Sequence, residues 1–218
     1  MSTTTLVLSR HGQTVWHREN RYAGTSDVDL TAEGHRQADL LAAWALAARP
    51  DVVASSPVRR ALETARPVAA ALGLQPLVRE DLREVSFGIA EGRTIAEMTA
   101  ADPEMVEAFR ADPVNHHFPE AEDPAAAAER AARELRVLAA ENVGATVLVV
   151  AHNTLLRLAL CRLLHIDVRR YRTVFPRMDN GTVTHLSIAT TGAQDASLAS
   201  FNVPLPGTAP ERPGPRPH

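Results

Sequence analysis

The chain has 218 residues, 45% hydrophobic and 22% charged, with a formal net charge of −3 at pH 7 and a single cysteine, Cys161. This length suits one α/β domain, and the negative charge argues against a nucleic-acid-binding protein, which would usually be basic. One cysteine excludes an intrachain disulfide and disfavours a cysteine-rich metal site.

Strand and helix patterns alternate through the first half of the chain. In order, they predict a strand over 4–9, a helix from the N-cap Thr31 to about Ala47, a strand over 51–55, a helix opening at Ser56-Pro57, and a short strand over 75–78. We expect Pro67 to kink or split the second helix near Ala65, because proline removes a backbone donor.

A segment rich in Asp, Pro, Glu and His separates the two halves. It covers residues 92–122, contains a short helical pattern near 103–110, and is a candidate lid. Beyond it, the patterns predict a helix from Asp123-Pro124 to about Asn142, a buried strand over 146–151, a helix from Thr154 to Leu164, and a strand from Thr182 to Ile188 that pairs with 198–203 as an edge hairpin.

This alternation predicts an α/β three-layer sandwich, with a mostly parallel central sheet, helices on both faces and one antiparallel edge region. Residues 1–203 form the predicted domain, and the proline-rich residues 204–218 form a tail without core residues, expected to be extended or disordered. We see no signal peptide and no apolar run long enough to cross a membrane, so we expect a cytoplasmic protein.

Charged side chains follow three of the predicted strands. Arg10-His11-Gly12 comes after the first, Arg60 after the second, and His152 after the strand over 146–151. Ligands of open α/β sheets bind outside the carboxyl ends of the strands, so we expect these four side chains to converge there. The planar guanidinium of arginine can donate to two phosphate oxygens at once, so a phosphate group is the expected ligand.

Each residue of this set suits a role in phosphoryl transfer. Neutral histidine is a nucleophile at cytoplasmic pH, and we assign that role to His11, with His152 as a charge and hydrogen-bond donor. Backbone N–H groups of the helix after His152 should add to phosphate binding. Glu84 lies in an apolar setting that should raise its pKa, so it is the candidate general acid, and later the base that activates water.

These residues lie in short blocks of sequence that follow one another along the chain. They are Leu8 to Thr14, Asn20 to Gly24, Asp27 to Thr31 with Gly34, Ser55 to Ala61 with Thr64-Ala65, Leu82 to Glu84 with Phe87-Gly88 and Glu91-Gly92, and Ala151-His152. Together they resemble the histidine phosphatase superfamily, also called phosphoglycerate mutase-like, over residues 4–190. The resemblance implies transfer through phosphorylated His11 without metal or cofactor. It also makes Arg60, rather than Arg59, the phosphate arginine.

The resemblance extends to further phosphate contacts, with two departures from the family pattern. It implies phosphate binding by Thr14, Ala23 and Gly24, although Gly24 could equally be a simple turn glycine. His17 stands where the family often has asparagine, and its charge would depend on pH. Asn153 stands where glycine is common, and it either contacts phosphate or substrate or caps the following helix.

The resemblance favours the phosphatase branch. The block from Glu84 to Gly88 is similar to that branch, and the connection from Glu84 to His152 is shorter than in the mutases. We therefore expect hydrolysis of a small phosphorylated metabolite such as a sugar phosphate. Mutase-type transfer and a non-hydrolytic phosphate-binding module stay open as alternatives. No nucleic-acid or membrane partner is expected, and a homodimer through edge-strand pairing stays open.

Overall fold

A six-stranded mixed sheet organises the protein. The computed structural model describes residues 2–190 and 196–208. The strands are β1 (Thr3–Arg10), β2 (Val52–Ser55), β3 (Leu77–Val78), β4 (Thr146–Ala151), β5 (Thr182–Ala189) and β6 (Ala196–Pro204), in the sheet order β3-β2-β4-β1-β5-β6. The pairs β2–β3, β2–β4 and β1–β4 are parallel, whereas β5 is antiparallel to both β1 and β6. This confirms the mostly parallel sheet with an antiparallel edge.

Helices connect the strands. They are α1 (Ala32–Ala48), α2 (Arg59–Leu72), α3 (Ile95–Ala101), α4 (Pro103–Ala111), α5 (Pro124–Glu141), α6 (Asn153–Leu163) and α7 (Tyr171–Val174). The predicted N-cap of α1 is confirmed, because the Thr31 hydroxyl accepts the Gly34 N–H. Short 3-10 turns lie at Val15–Arg18, Glu80–Leu82, Gly88–Ala90 and Val168–Arg170.

The side chains of β1 and β4 alternate between two hydrophobic cores. Leu6 and Leu8 of β1 pack in the core that contains α5 and α6, while Val7 packs in the core that contains α1 and α2. Both faces of the sheet are therefore covered, which explains why these strands read as continuous apolar runs. The predicted three-layer α/β architecture is confirmed.

The prediction that Pro67 splits its helix is wrong. α2 runs unbroken from Arg59 to Leu72 with Pro67 inside it, and it begins after Val58 rather than at Ser56-Pro57. Buried residues on both sides of the proline, Ala65 and Val68, lie in the core under α2. Their burial holds the helix together despite the missing N–H at Pro67.

The segment 92–122 contains two helices where one was predicted. α4 matches the pattern near 103–110, and α3 was missed although Thr94 and Glu97 form a capping box at its start. Val106 and Phe109 of α4 are buried together with Phe118 in a third apolar cluster. A lid role for this segment stays a prediction.

The final residues of the described chain pack on the domain. β6 extends to Pro204, and Leu205 is only 2% exposed, within the core under α1 and α2. Arg36 of α1 donates to the Gly207 carbonyl at 3.0 Å. The predicted tail thus contributes a core residue at Leu205, and its residues 209–218 lie outside the described residues. No helix of the described chain is long and apolar enough to span a membrane.

Candidate active site

The carboxyl ends of β1, β2 and β4 bring the predicted side chains together. The rings of His11 and His152 lie 5.2 Å apart between centroids, and the Arg60 Nε lies 3.2 Å from the His11 Nε2. The His11 N–H donates to the Ala151 carbonyl at 3.0 Å, which ties the end of β1 to the end of β4. Three distant stretches of sequence therefore meet at one edge of the sheet, as parallel pairing requires.

Hydrogen bonds fix the protonation of His11. Its Nδ1 lies 2.7 Å from the Gly12 carbonyl, which can only accept, so Nδ1 carries the proton. The Nε2 lone pair then faces the Arg60 Nε–H. Burial, with smaller effects of Arg60, His152, Arg10 and His17, holds the pKa of His11 well below its usual range. The imidazole is neutral at pH 7, with Nε2 as its basic nitrogen.

Close backbone packing positions the turn that carries His11. A Cβ at Gly12 would lie 2.4 Å from the Gly34 carbonyl oxygen, so only glycine fits between the turn and α1. The Gly12 N–H donates to the Thr64 hydroxyl at 2.9 Å, and that hydroxyl donates to the Arg60 carbonyl at 2.7 Å. Thr64 therefore couples the His11 turn to the first turn of α2.

Arg60 is fully buried and is held by the loop 23–26. Its NH2 donates to the carbonyls of Ala23 and Gly24, both at 2.9 Å, and its NH1 donates to the Ser26 carbonyl at 3.0 Å. Ala23 and Gly24, predicted to bind phosphate, thus present carbonyl oxygens to Arg60. Burial is the main reason that the pKa of Arg60 lies below its usual value.

Glu91 holds the same loop from the other side. Its carboxylate accepts the N–H groups of Gly24 and Phe87, at 3.0 Å each, and the Ser26 hydroxyl at 2.7 Å. A Cβ at Gly24 would lie 2.2 Å from this carboxylate, so the glycine provides close approach to Glu91. In the sequence, Glu91 belongs to one of the family-like blocks, but the sequence did not indicate a role for it.

Arg10, His17 and Thr14 form a second group beside His11. The Arg10 NH2 lies 2.6 Å from the His17 Nε2, and the His17 Nδ1 lies 2.8 Å from the Thr14 hydroxyl. Burial and the positive charge of Arg10 lower the pKa of His17 to about 3. The His17 Nδ1 accepts the Thr14 backbone N–H at 2.9 Å, while its Nε2 faces the Arg10 guanidinium. A cleft of about 540 Å³ opens beside His17 and Thr14.

The carboxylate of Glu84 lies at the N-terminus of α6. It accepts the N–H groups of Leu155 at 2.8 Å, Val85 at 3.0 Å and Thr154 at 3.1 Å. The expectation that these helix N–H groups bind phosphate is wrong for Thr154 and Leu155, since Glu84 occupies them. Burial raises the pKa of Glu84 above its ordinary value, although these bonds and the Arg60 charge oppose the rise.

Ser56 orients His152, a contact that the sequence did not reveal. The Ser56 hydroxyl lies 2.7 Å from the His152 Nε2 and accepts the Val58 N–H at 3.2 Å. The hydroxyl can donate its proton to Nε2, and we assign the proton of His152 to Nδ1 on that basis. This Nδ1 is buried and has no hydrogen-bond partner among the described residues. Burial keeps the pKa of His152 well below its usual range, so the residue is a neutral donor.

Asn153 anchors the segment between α7 and β5. Its Oδ1 accepts the Met178 N–H at 3.2 Å, and the Arg10 NH1 donates to the Met178 carbonyl at 3.0 Å. Asn153 is the first residue of α6, after the N-cap His152, so it does not cap the helix, and its contact with phosphate or substrate stays a prediction. Arg157 donates to the Phe175 carbonyl, and the Asn180 side chain donates to the His11 carbonyl. Sequence reasoning missed Arg157 and Asn180.

Comparison with known proteins places this site in a family. Residues 6–200 match the histidine phosphatase superfamily, branch 1. Phosphoserine phosphatase 1 of Hydrogenobacter thermophilus is 30% identical over 166 residues, 76% of this chain and 79% of that protein. A bifunctional protein of Mycobacterium tuberculosis is 40% identical over 164 residues, 72% of this chain but 44% of that protein.

A solved structure supports the same assignment. The mycobacterial glucosyl-3-phosphoglycerate phosphatase has a TM-score of 0.81 and 28% identity, covering 92% of this chain and 99% of that chain. The chain belongs to branch 1 of the histidine phosphatase superfamily. Within that family it is a phosphatase, a phosphomonoester hydrolase.

Proposed function

We propose that the protein hydrolyses a small phosphorylated metabolite through a phosphohistidine formed on His11, without metal. The observation that carries the proposal is the bonding of His11, whose Nδ1 proton is held by the Gly12 carbonyl while Nε2 stays unprotonated beside Arg60. The similarity to phosphatases of phosphoserine and of glucosyl-3-phosphoglycerate supports a small organic phosphomonoester as substrate.

In the first step, the His11 Nε2 attacks phosphorus, and the bond between phosphorus and the ester oxygen breaks. The Arg10 and Arg60 guanidiniums and the His152 Nδ1–H stabilise the negative charge on the phosphoryl oxygens. Glu84, whose pKa is raised by burial, donates its proton to the leaving alkoxide. The products are a free alcohol and phosphorylated His11.

In the second step, water attacks the phosphohistidine. Glu84 is now ionised and takes a proton from this water, and the bond between Nε2 and phosphorus breaks. Inorganic phosphate leaves, while Glu84 is protonated and His11 neutral again. One carboxyl group thus serves as acid and then as base, which requires a pKa that is not far from the working pH.

The test measures phosphate release from a panel of phosphorylated metabolites in the presence of a chelator. We expect release by the wild type, and a loss of about 1,000-fold or more in His11→Ala, because a covalent nucleophile has no substitute. His35→Ala is the matched control, since His35 is an exposed histidine on α1. A phosphoryl label on the wild type that is lost in acid and stable in alkali, and that is absent from His11→Ala, identifies phosphohistidine.

Three outcomes would contradict the proposal. Release by His11→Ala at the wild-type rate would mean that another nucleophile or water attacks directly. Isomerisation of phosphoglycerate with little phosphate release would indicate mutase-type transfer. Phosphate binding without turnover of any compound would indicate a binding module.

A further inference from the structure

A buried arginine of α5 binds the backbone that carries Glu84. Arg130 is 8% exposed, and its NH1 donates to the carbonyls of Asp81 at 2.6 Å and of Arg83 at 3.1 Å. The Arg83 carbonyl belongs to the peptide group that joins Arg83 to Glu84. Arg130 therefore holds the chain immediately before the candidate general acid.

The same guanidinium binds Glu122, the last residue of the segment 92–122. Its Nε donates to one carboxylate oxygen of Glu122 at 2.9 Å, and its NH2 donates to the other at 2.8 Å. The Glu122 N–H in turn donates to the Ser86 carbonyl at 3.0 Å. Arg130 and Glu122 thus contact the chain on both sides of Glu84.

These contacts define a geometry more than they add stability. Four of the five guanidinium N–H groups of Arg130 have acceptors, two on Glu122 and two on the backbone. A buried ion pair adds little net stability, because the lost hydration of both charges offsets their attraction. The rigid planar guanidinium does fix the positions of the atoms that it binds, and here these atoms flank Glu84.

The position of the Glu84 carboxyl matters because its proton has to lie on one particular oxygen. Among the described residues, Oε1 accepts the N–H groups of Val85 and Leu155, whereas Oε2 accepts that of Thr154. Oε2 therefore keeps a lone pair for the proton. A general acid acts within about 2.6–3.2 Å of the oxygen that it protonates, and a misplacement of about 1 Å can slow a reaction about 100-fold.

We propose that Arg130 is a positioning residue, which together with Glu122 holds the Glu84 carboxyl at the leaving oxygen of the substrate. Arg130 acts through the backbone and not by contact with the reacting atoms. This inference rests on the proposed function, in which Glu84 is the general acid, and adds the residues that keep the acid in place. Loss of Arg130 should therefore impair protonation of the leaving group more than attack by His11.

Two substrates with different leaving groups separate these two effects. p-Nitrophenolate is a stable anion that leaves without a proton, whereas the alkoxide released from benzyl phosphate needs one. We would measure kcat/KM for both phosphates, because this ratio reports the first step and not the later hydrolysis of phosphohistidine.

Three variants are compared with the wild type. Arg130→Met removes the positioning residue, and Glu84→Gln is the reference for a lost acid. Arg133→Met is the matched control, because Arg133 lies on the same helix but is 63% exposed in its side chain and donates to the Asp81 carboxylate at 3.0 Å.

We expect Arg130→Met to lower kcat/KM for benzyl phosphate by about tenfold or more, and for p-nitrophenyl phosphate by less than about threefold. Glu84→Gln should show the same selectivity with a larger loss. Arg130→Met should add little selectivity in the Glu84→Gln background, because the two residues act as a unit. Arg133→Met should behave as the wild type.

Two milder variants keep the test decisive if Arg130→Met does not fold. Arg130→Lys keeps the charge without the planar fork, and Glu122→Gln keeps the shape of the side chain without its charge. Each should lower kcat/KM for benzyl phosphate about threefold or more relative to p-nitrophenyl phosphate.

Other outcomes would overturn the inference. Equal losses for both phosphates in the Arg130 and Glu122 variants, beside a selective loss in Glu84→Gln, would show that Arg130 only stabilises the fold. A selective loss in Arg133→Met would indicate a general effect of positive charge on α5. If Glu84→Gln shows no selective loss, or if the wild type releases phosphate from no compound, the proposed function fails and the inference fails with it.

Discussion

Each histidine of the candidate site is oriented by an oxygen atom of its neighbours. The Gly12 carbonyl holds the Nδ1 proton of His11, whereas the Ser56 hydroxyl faces the Nε2 of His152. In the proposed reaction the two residues therefore present different nitrogens to the phosphate, a basic Nε2 from His11 and a donating Nδ1–H from His152. Replacement of either oxygen would leave the side chain in place but change which nitrogen carries the proton.

Ser56→Ala should lower kcat about tenfold with little change in overall structure, because the His152 Nε2 loses the bond that keeps the proton on Nδ1. Ser55→Ala is the matched control, since the Ser55 hydroxyl is equally buried but donates only to the Ser56 carbonyl. Steady-state kinetics, with ¹⁵N chemical shifts of His152, would check this. Equal losses in both variants would show that Ser56 matters only for packing.

The sequence predicted residues that follow strands and missed those that support them. His11, Arg60, Glu84 and His152 all lie at the site, and strand order alone brings three of them together. Their supports act across long sequence separations, as in the bond from Asn180 to the His11 carbonyl. Such contacts depend on side-chain geometry, which a pattern of strands does not define.

Pro67 shows how burial outweighs local preference at the scale of one helix. The proline has no N–H to give to the Glu63 carbonyl one turn earlier, yet α2 continues through it. Pro67 therefore destabilises α2 locally, and the burial of its neighbours in the core under α2 offsets this cost. The sequence shows the cost but not the compensating contacts.

Pro67→Ala should stabilise the protein by about 1–3 kcal/mol, because alanine restores the N–H and is the best helix former. Pro103→Ala is the control, since Pro103 lies at the first position of α4, where no N–H bond is lost. Urea unfolding of both variants would measure the difference. A destabilised Pro67→Ala would mean that the proline ring itself packs favourably in α2.

Buried neutral histidines couple the stability of the whole molecule to pH. The pKa values of His11, His17 and His152 are all lowered in the folded protein, that of His17 to about 3 from 6.5. Below pH 6.5 the unfolded chain binds protons that the folded chain does not, so stability falls as the pH falls. The raised pKa of Glu84 has the opposite effect on stability above pH 4.5, because the folded protein then binds a proton that the unfolded chain has lost.

The free energy of unfolding should therefore decrease between pH 7 and pH 5, because three histidines outweigh one carboxyl group. Each pH unit below 6.5 costs about 1.4 kcal/mol per such histidine. His17→Asn should reduce this slope, whereas His35→Asn, which changes an exposed histidine, should not. Urea titrations at several pH values provide the measurement. A slope unchanged by His17→Asn would show that His17 is protonated in the folded state.

The position of β1 in the sheet has a consequence for biosynthesis. The strand is synthesised well before both of its neighbours, since Leu8 pairs with Val149 on one side and with Thr184 on the other. Until those late segments emerge, the apolar β1 has two open edges, and the turn that carries His11 lacks both of its flanking strands. Assembly of the candidate site therefore has to wait until both β4 and β5 have been synthesised.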